Sequence, residues 1–165
     1  MKSFESVIEN LNEVIESWML ENGFEMTADF NPSGFFYYDS DRHIEYCFEL
    51  PDLDITSWND FLEELNCPYD IDTFYTSLLH EIGHYCTFPL VSMGDMIYSE
   101  SETDRLSKSQ PSYEVNMEYY HLPRELAATH WAVDYIINNP AQVKRLIMLT
   151  QPLMKIILFK YLLPR

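Results

Sequence analysis

The sequence predicts an α+β fold: an N-terminal helix, a small antiparallel sheet, and a series of helices that fill the rest of the chain. Three patterns support this. Apolar residues recur with helical spacing near the N-terminus, polar and apolar residues alternate from His43 to Leu50, and helical spacing returns in the second half. A chain of 165 residues can form one hydrophobic core, so we expect residues 1–165 to be a single domain.

The first helix is predicted from apolar residues three and four positions apart, with glutamates between them. Asn22 and Gly23 are typical of a helix C-terminus and are expected to end it. The apolar positions are Phe4, Val7, Ile8, Leu11, Val14, Ile15, Trp18 and Met19.

The sheet is predicted from an aromatic, β-prone region that is interrupted by turn residues at 31–34 and 39–41. In the last strand, Ile44, Tyr46, Phe48 and Leu50 share one face, and His43, Glu45, Cys47 and Glu49 share the other. One solvated face is typical of a small antiparallel sheet. This strand is either an edge that binds an extended substrate by strand addition or an interior strand.

Four further segments follow the sheet. A short helix is predicted from Thr56 or Ser57, and Asp70 or Asp72 can cap a second helix that Pro89 ends. Residues 89–112 are polar and predict a long loop. A helix over 122–138 then stops before Pro140, and apolar helices interrupted near Pro152 complete the chain.

The charge is strongly acidic and unevenly distributed. The net charge is -17, and residues 1–72 carry 18 of the 27 acidic side chains against two basic ones. Such a surface repels a phosphate backbone, so we expect no direct binding of nucleic acid. The acidic residues either keep the protein in solution or attract a basic partner, such as a DNA-binding protein.

Cysteine use and hydropathy predict a cytoplasmic protein. Cys47, Cys67 and Cys86 show no CxxC spacing, which favours free thiols in a reducing compartment. We expect no signal peptide and no membrane span, because no apolar run approaches about 20 residues. The basic, apolar C-terminal segment with Lys144, Arg145, Lys155 and Lys160 is either a closing core helix or a membrane-surface or partner helix.

The residues with the clearest chemistry are His80, Glu81 and His84, in the pattern HExxH. Positions i and i+4 share a helix face, so both imidazoles can bind one zinc ion. Glu81 lies about 100° round the helix, beside the metal, where it can act as a general base. Gly83, between the histidines, indicates that another segment packs closely against this backbone.

A catalytic zinc site needs a third protein ligand. The extended pattern HExxHxxGxxH is excluded because Thr87 and Leu90 occupy the positions of its Gly and last His. Glu125 is the best candidate, because Ala128, Thr129 and Ala132 continue its helical stripe with small side chains. Glu118, His121 and His130 are the reserve candidates.

Three short segments resemble a known family. His80–Tyr85, Asp104–Leu106 and Arg124–Ala128 resemble the metallopeptidase domain of ArdC-type antirestriction proteins and, more broadly, minimal gluzincins such as the ImmA/IrrE peptidases. The resemblance covers roughly residues 55 to 140. It implies a zincin-like fold, with His80, His84 and Glu125 as zinc ligands and Glu81 as the base.

The same resemblance implies a phage or mobile-element origin and a regulatory or host-defence protein as the target. Where the family often has an acid supporting a zinc histidine, this chain has Thr129. Thr129, His130 and Tyr120 are the candidates for the layer around the ligands. The single-stranded-DNA-binding domain of ArdC-type proteins is replaced here by the acidic N-terminal region.

Two functions from different classes are predicted. The first is a zinc-dependent endopeptidase of narrow specificity that acts on a protein or peptide substrate. The second is an acidic DNA mimic or inhibitor that binds a basic host protein and has a structural or vestigial zinc site. Glu81 favours the enzyme, because a purely structural zinc has no use for a general base.

Overall fold

The computed structural model describes residues 3–68 and 71–159. Within these ranges the chain forms seven α-helices and one three-stranded sheet, so the predicted α+β class is confirmed. The elements are α1 (Phe4–Glu21), β1 (Thr27–Phe30), β2 (Phe36–Tyr38), β3 (His43–Tyr46), α2 (Asp52–Glu64), α3 (Thr73–Thr87), α4 (Met93–Ser107), α5 (Tyr113–Tyr120), α6 (Pro123–Asn138) and α7 (Pro140–Ile157). A 3-10 turn, Phe88–Leu90, follows α3.

Helix α1 forms as its periodicity predicts. The Ser3 side chain accepts a hydrogen bond from the backbone N–H of Ser6 and caps the N-terminus, and Gly23 follows the helix with φ of 85°. That positive φ favours glycine, which explains why the helix ends there. The buried face consists of Val7, Leu11, Ile15, Trp18 and Met19.

The prediction of an antiparallel sheet is wrong, because the strand order is β1-β3-β2 and the sheet is mixed. Strands β2 and β3 form an antiparallel hairpin, whereas β1 pairs parallel with β3 over its four residues. Three strands joined by short turns favour a meander from sequence alone. Here β3 lies between the other two strands, and this placement makes β1 run parallel to β3.

The strand predicted from His43 to Leu50 is shorter than its alternation indicates. It ends at Tyr46, and Cys47, expected on the solvated face, is buried. Both edges of β3 are paired, so strand addition at this strand is excluded. The unpaired edge nearest the predicted metal helix is that of β2, which packs against α3.

Helix boundaries in the middle of the chain differ from the predictions. Helix α2 begins at Asp52, after Pro51, where Asp52 and Asp54 place negative charge in the first turn. Asp72 caps α3 by accepting from the N–H of Phe74, whereas Asp70 lies outside the described residues. Pro89 lies in the turn that follows α3, as expected.

The loop predicted for residues 89–112 is wrong, because most of it forms α4. Ser92 caps this helix by accepting from the N–H of Asp95, and an exposed Lys108–Asp104 ion pair supports its end. Only Ser99 and Leu106 of α4 are buried, so the sequence shows little amphipathic pattern. A helix lying on the surface with few buried residues is easily mistaken for a polar loop.

Helix α7 continues through Pro152 and closes the core. Val143, Leu146, Thr150 and Ile157 are buried, and α7 packs along α1. Proline has no N–H to donate to the backbone carbonyl one turn earlier in the helix. Because Pro152 is exposed, that carbonyl is on the solvent side. These contacts favour the core-helix interpretation. Lys160 lies outside the described residues, and none of the described helices has the length and apolar character needed to cross a bilayer.

The most extensive helix packing in the described chain joins α3 to α6. Gly83 makes it possible: a Cβ atom at this position would lie 2.3 Å from the backbone oxygen of Ala128. The close approach expected from Gly83 is therefore present, and Ala128 and Ala132 are buried in the contact. This packing brings the HExxH helix and the helix of Glu125 face to face.

Candidate metal centre

Three side chains from α3 and α6 converge on one point. The Nε2 atoms of His80 and His84 lie 3.1 Å apart, and the Oε2 atom of Glu125 lies 3.2 Å from the first and 3.1 Å from the second. All three residues are buried, with 5–6% of their surface exposed. The structure thus brings together the three residues expected to bind zinc.

The spacing of these atoms fits a tetrahedral metal. Zinc binds imidazole nitrogen and carboxylate oxygen at about 2.0–2.2 Å, so tetrahedral angles place ligand atoms roughly 3.3–3.5 Å apart. The observed separations are within about 0.4 Å of that range. Two imidazoles and one carboxylate are also a donor set typical of catalytic zinc, because one coordination position stays open.

Thr129 determines which nitrogen of His80 faces this point. Its hydroxyl donates its one proton to the backbone oxygen of Glu125 at 2.9 Å, and it lies 2.9 Å from Nδ1 of His80. The hydroxyl must therefore accept the second bond, so Nδ1 carries a proton. A neutral His80 then directs an Nε2 lone pair toward the lone pairs of Glu125. Facing lone pairs repel, so the site requires a proton or a metal cation between them.

The pKa shifts of Glu125 and His80 also favour a positive charge between these two side chains. Burial opposes ionisation of the Glu125 carboxyl, but the neighbouring His84 and His80 outweigh burial and hold the pKa of Glu125 well below its ordinary value. Burial likewise lowers the pKa of His80, but the hydrogen bond with Glu125 and the charges of Glu81 and Glu125 raise that pKa overall. The raised pKa of His80 favours a proton at this position, so a metal ion that binds there competes with a proton.

Glu81 lies beside the three converging atoms. His80, Glu81 and His84 offer ligand atoms that all lie within 4.8 Å of one another. Glu81 is buried, and this burial raises the pKa of its carboxyl above the ordinary value. Together with His84 and Glu125, it lines a cavity of about 370 Å³ that opens to solvent. A general base beside an open coordination position needs this placement.

Another part of the cavity wall comes from β2 and from the residue before it. Phe35, Phe36 and Tyr37 line it, and the ring of Tyr37 is stacked on the ring of His84 with centroids 6.1 Å apart. Helix α4 supplies a further wall with Glu100, Thr103, Asp104 and Ser107. The helix that the sequence analysis interpreted as a loop therefore forms part of the site.

Two residues of the cavity, Tyr119 and Arg124, were missed by sequence reasoning. The hydroxyl of Tyr119 is hydrogen-bonded to Glu125, and burial together with the charges of Glu125 and Glu81 raises the pKa of this phenol well above its ordinary value. Arg124 lines the same cavity, and its backbone N–H donates to Oγ of the buried Ser99. The position of Arg124 next to Glu125 was a usable signal; Tyr119 gave none, because α5 shows no clear periodicity.

Three residues were predicted to surround the zinc ligands, and of these Thr129 contacts a predicted ligand directly, through Nδ1 of His80. The prediction for His130 is wrong, because it is exposed on the far side of α6. Tyr120 lies one layer out: its ring packs against Trp58, whose ring meets His80, and its hydroxyl is hydrogen-bonded to Ser57.

The reserve ligand candidates are engaged elsewhere. His121 has one ring nitrogen 3.0 Å from the carboxylate of Glu64 and the other 2.7 Å from a backbone oxygen. Glu118 forms a surface ion pair with Arg105.

Comparisons with protein-family models, with curated proteins and with solved structures found no match for this chain.

Proposed function

We propose that this protein is a zinc-dependent endopeptidase of narrow specificity, similar to the minimal gluzincins. The observation that supports this is the convergence of His80 Nε2, His84 Nε2 and Glu125 Oε2 within 3.2 Å of one another beside a buried Glu81. A structural zinc site usually has four protein ligands, whereas three ligands and a neighbouring base are typical of a catalytic site.

The ligand set proposed is His80, His84 and Glu125. Zinc held there would polarise a carbonyl group and lower the pKa of a water molecule. Glu81 takes the proton from the attacking water and returns it to the leaving amine. Its raised pKa suits the first step, since a carboxylate with a raised pKa is a stronger base than one with an ordinary pKa.

Tyr119 and Arg124 complete the proposed chemistry. The raised pKa of Tyr119 leaves its phenol protonated at neutral pH, and the one proton that it donates to Glu125 would have to turn to the oxygen on which negative charge develops. The guanidinium of Arg124 offers permanently charged donors to a peptide carbonyl or carboxylate in the cavity.

The substrate backbone is proposed to lie along β2. Its outer edge is unpaired, and Phe36 and Tyr37 line the cavity. An extended peptide can add to such an edge through main-chain hydrogen bonds. This proposal transfers the strand-addition site from β3, whose edges are both paired, to β2.

Zinc stoichiometry of ligand variants tests the site. We expect one zinc per chain in the wild type, lost in His80→Ala and His84→Ala and strongly weakened in Glu125→Ala. The matched controls Glu118→Ala, His121→Ala and His130→Ala should keep it, because these residues lie outside the site. Stoichiometric zinc in His80→Ala, or loss of zinc in His130→Ala, would contradict the ligand assignment.

An acidic decoy remains the second proposal, and one surface favours it. A groove of about 480 Å³ beside α1 is lined by four acidic residues, which are remote in sequence from the proposed zinc ligands: Glu13, Glu16, Glu25 and Asp41. A basic host protein is the partner expected for such a surface. If Glu81→Gln binds and inhibits such a partner as well as the wild type does, the decoy explains the function better than the peptidase does.

A further inference from the structure

A second cavity lies next to the metal cavity and has a different character. Its volume is about 570 Å³, within the range of cavities that bind small ligands. Its apolar lining comes from the start of α2 and the residue before it, from the end of α4, from the segment between α4 and α5, and from the start of α5. The apolar residues are Pro51, Leu53, Leu106, Pro111 and Val115.

Four of the polar side chains that line this second cavity, those of Asp54, Ser107, Asn116 and Tyr119, have hydrogen-bond partners within the protein. The side-chain amide of Asn116 donates to Asp54 and to Ser57, both at 2.9 Å, and the hydroxyl of Ser107 donates to the backbone oxygen of Asp104 at 2.9 Å. These groups gain little from a polar ligand, because their hydrogen bonds are made within the protein. The cavity therefore suits an apolar group.

The two cavities are adjacent and share three lining residues. Thr103, Ser107 and Tyr119 line both of them. Tyr119 contacts Glu125 on one side and borders the apolar cavity on the other. The apolar cavity therefore lies beside the metal cavity, with Tyr119 in the wall of both.

We infer that the second cavity is a specificity subsite that takes a large aliphatic or aromatic side chain of a peptide held at the metal site. This inference rests on the proposed function and adds the substrate class: peptides with a bulky apolar residue close to the cleaved bond. Burying a leucine-sized side chain should raise affinity about 10–100-fold over a methyl group. A cavity of this size also explains narrow specificity, because a small residue would leave the cavity unfilled and a charged residue would bury an unpaired charge in it.

The test uses two hydroxamates that chelate zinc identically and differ in the apolar group. Acetohydroxamate carries a methyl group, and 4-methylpentanohydroxamate carries a leucine-like chain. Binding of each to the zinc-loaded full chain is measured by calorimetry. We expect the larger ligand to bind about 10–100-fold more tightly to the wild type.

Variants then locate the preference. Val115→Trp should fill the apolar cavity and abolish the difference between the two hydroxamates, because Val115 lines this cavity and is absent from the lining of the metal cavity. Glu118→Trp is the matched control: it introduces the same side chain on α5, at an exposed position that lines neither cavity. It should keep the difference.

Each outcome decides between the proposals. Equal affinities of the two hydroxamates for the zinc-loaded wild type overturn the subsite and leave the metal site intact, and this result does not depend on any variant folding. A preference that persists in a folded Val115→Trp places the apolar group elsewhere and also overturns the subsite. Absence of zinc from the wild type overturns the proposed function, and the subsite with it.

Discussion

Substitution of Gly83 by alanine perturbs the helix contact on which the site depends. The added Cβ would lie 2.3 Å from the backbone oxygen of Ala128, whereas ordinary contacts begin near 3.4 Å. Helix α3 or α6 must therefore move by roughly 1 Å, since a backbone oxygen cannot rotate away. Such overpacking costs about 1–3 kcal/mol, and the helix propensity of alanine returns about 1 kcal/mol.

The larger effect of Gly83→Ala falls on the metal site. Glu125 precedes Ala128 by less than one turn, so a shift of about 1 Å stretches its 3.1–3.2 Å separations from the two histidines. We expect zinc affinity to fall about 10–100-fold, the range seen when groups that orient ligands are lost. Zinc affinity is measured by competition with a chromophoric chelator, and stability by thermal denaturation of the zinc-free protein.

Gly94→Ala is the matched control for Gly83→Ala. Gly94 is also helical, but the nearest atom to its added Cβ would be Oγ of Ser92 at 3.8 Å. This variant should be neutral or stabilised by up to about 1 kcal/mol, with unchanged zinc affinity. If Gly83→Ala matches Gly94→Ala in both measurements, the close packing of α3 on α6 is not what positions the ligands.

Three further predictions concern His80 and its surroundings. Thr129→Val keeps the side-chain shape but leaves the Nδ1 proton of His80 without its acceptor, so zinc affinity should fall about 10–100-fold. Thr129→Ser keeps the hydroxyl and should keep the zinc affinity. If chelator competition shows the same zinc affinity for Thr129→Val as for the wild type, Thr129 does not orient His80. The zinc-dependent gain in melting temperature should grow as pH rises from about 6 to 8, because the raised pKa of His80 lets protons compete with the metal. The zinc-free fold should show the opposite trend above pH 6.5, since protonated His80 stabilises it below that value and the contribution is lost as pH passes the raised pKa. The pKa of Glu125 is lowered, so its contribution to stability is present above about pH 4.5, is lost only as pH falls through the lower value, and does not change between pH 6 and 8. A zinc-dependent gain in melting temperature that shrinks or stays constant between pH 6 and 8 would therefore contradict the competition between protons and zinc at His80.

The parts of the site that the sequence predicted depend on helical periodicity. The spacing of His80 and His84 places both on one face of any helix that contains them. The glycine of α3 and the small residues of α6 indicated a close helix contact, and the structure has it at Gly83 and Ala128. The sequence also predicts that Glu125 and Thr129 face the same contact, because one turn of α6 separates them on its buried face.

The remaining parts depend on tertiary contacts that leave weak local signals. Helix α4 buries only Ser99 and Leu106, so its pattern is mostly that of a polar surface. Helix α5 is short and has no fully buried residue, so nothing in the sequence indicated that Tyr119 rather than Tyr120 faces Glu125. The parallel pairing of β1 with β3 arises from strand order, which alternation within a single strand does not encode.

The central claim is that Glu81 is the base of a zinc-dependent hydrolase, and the comparison of Glu81→Gln with the wild type tests it most directly. Both proteins are assayed for zinc content, for thermal stability, and for cleavage of a peptide library and of basic DNA-binding proteins. We expect one zinc per chain and a normal fold in both, with hydrolysis in the wild type alone, because glutamine cannot accept the proton of the attacking water. Full cleavage by zinc-loaded Glu81→Gln, or no cleavage by a zinc-loaded wild type, would contradict it.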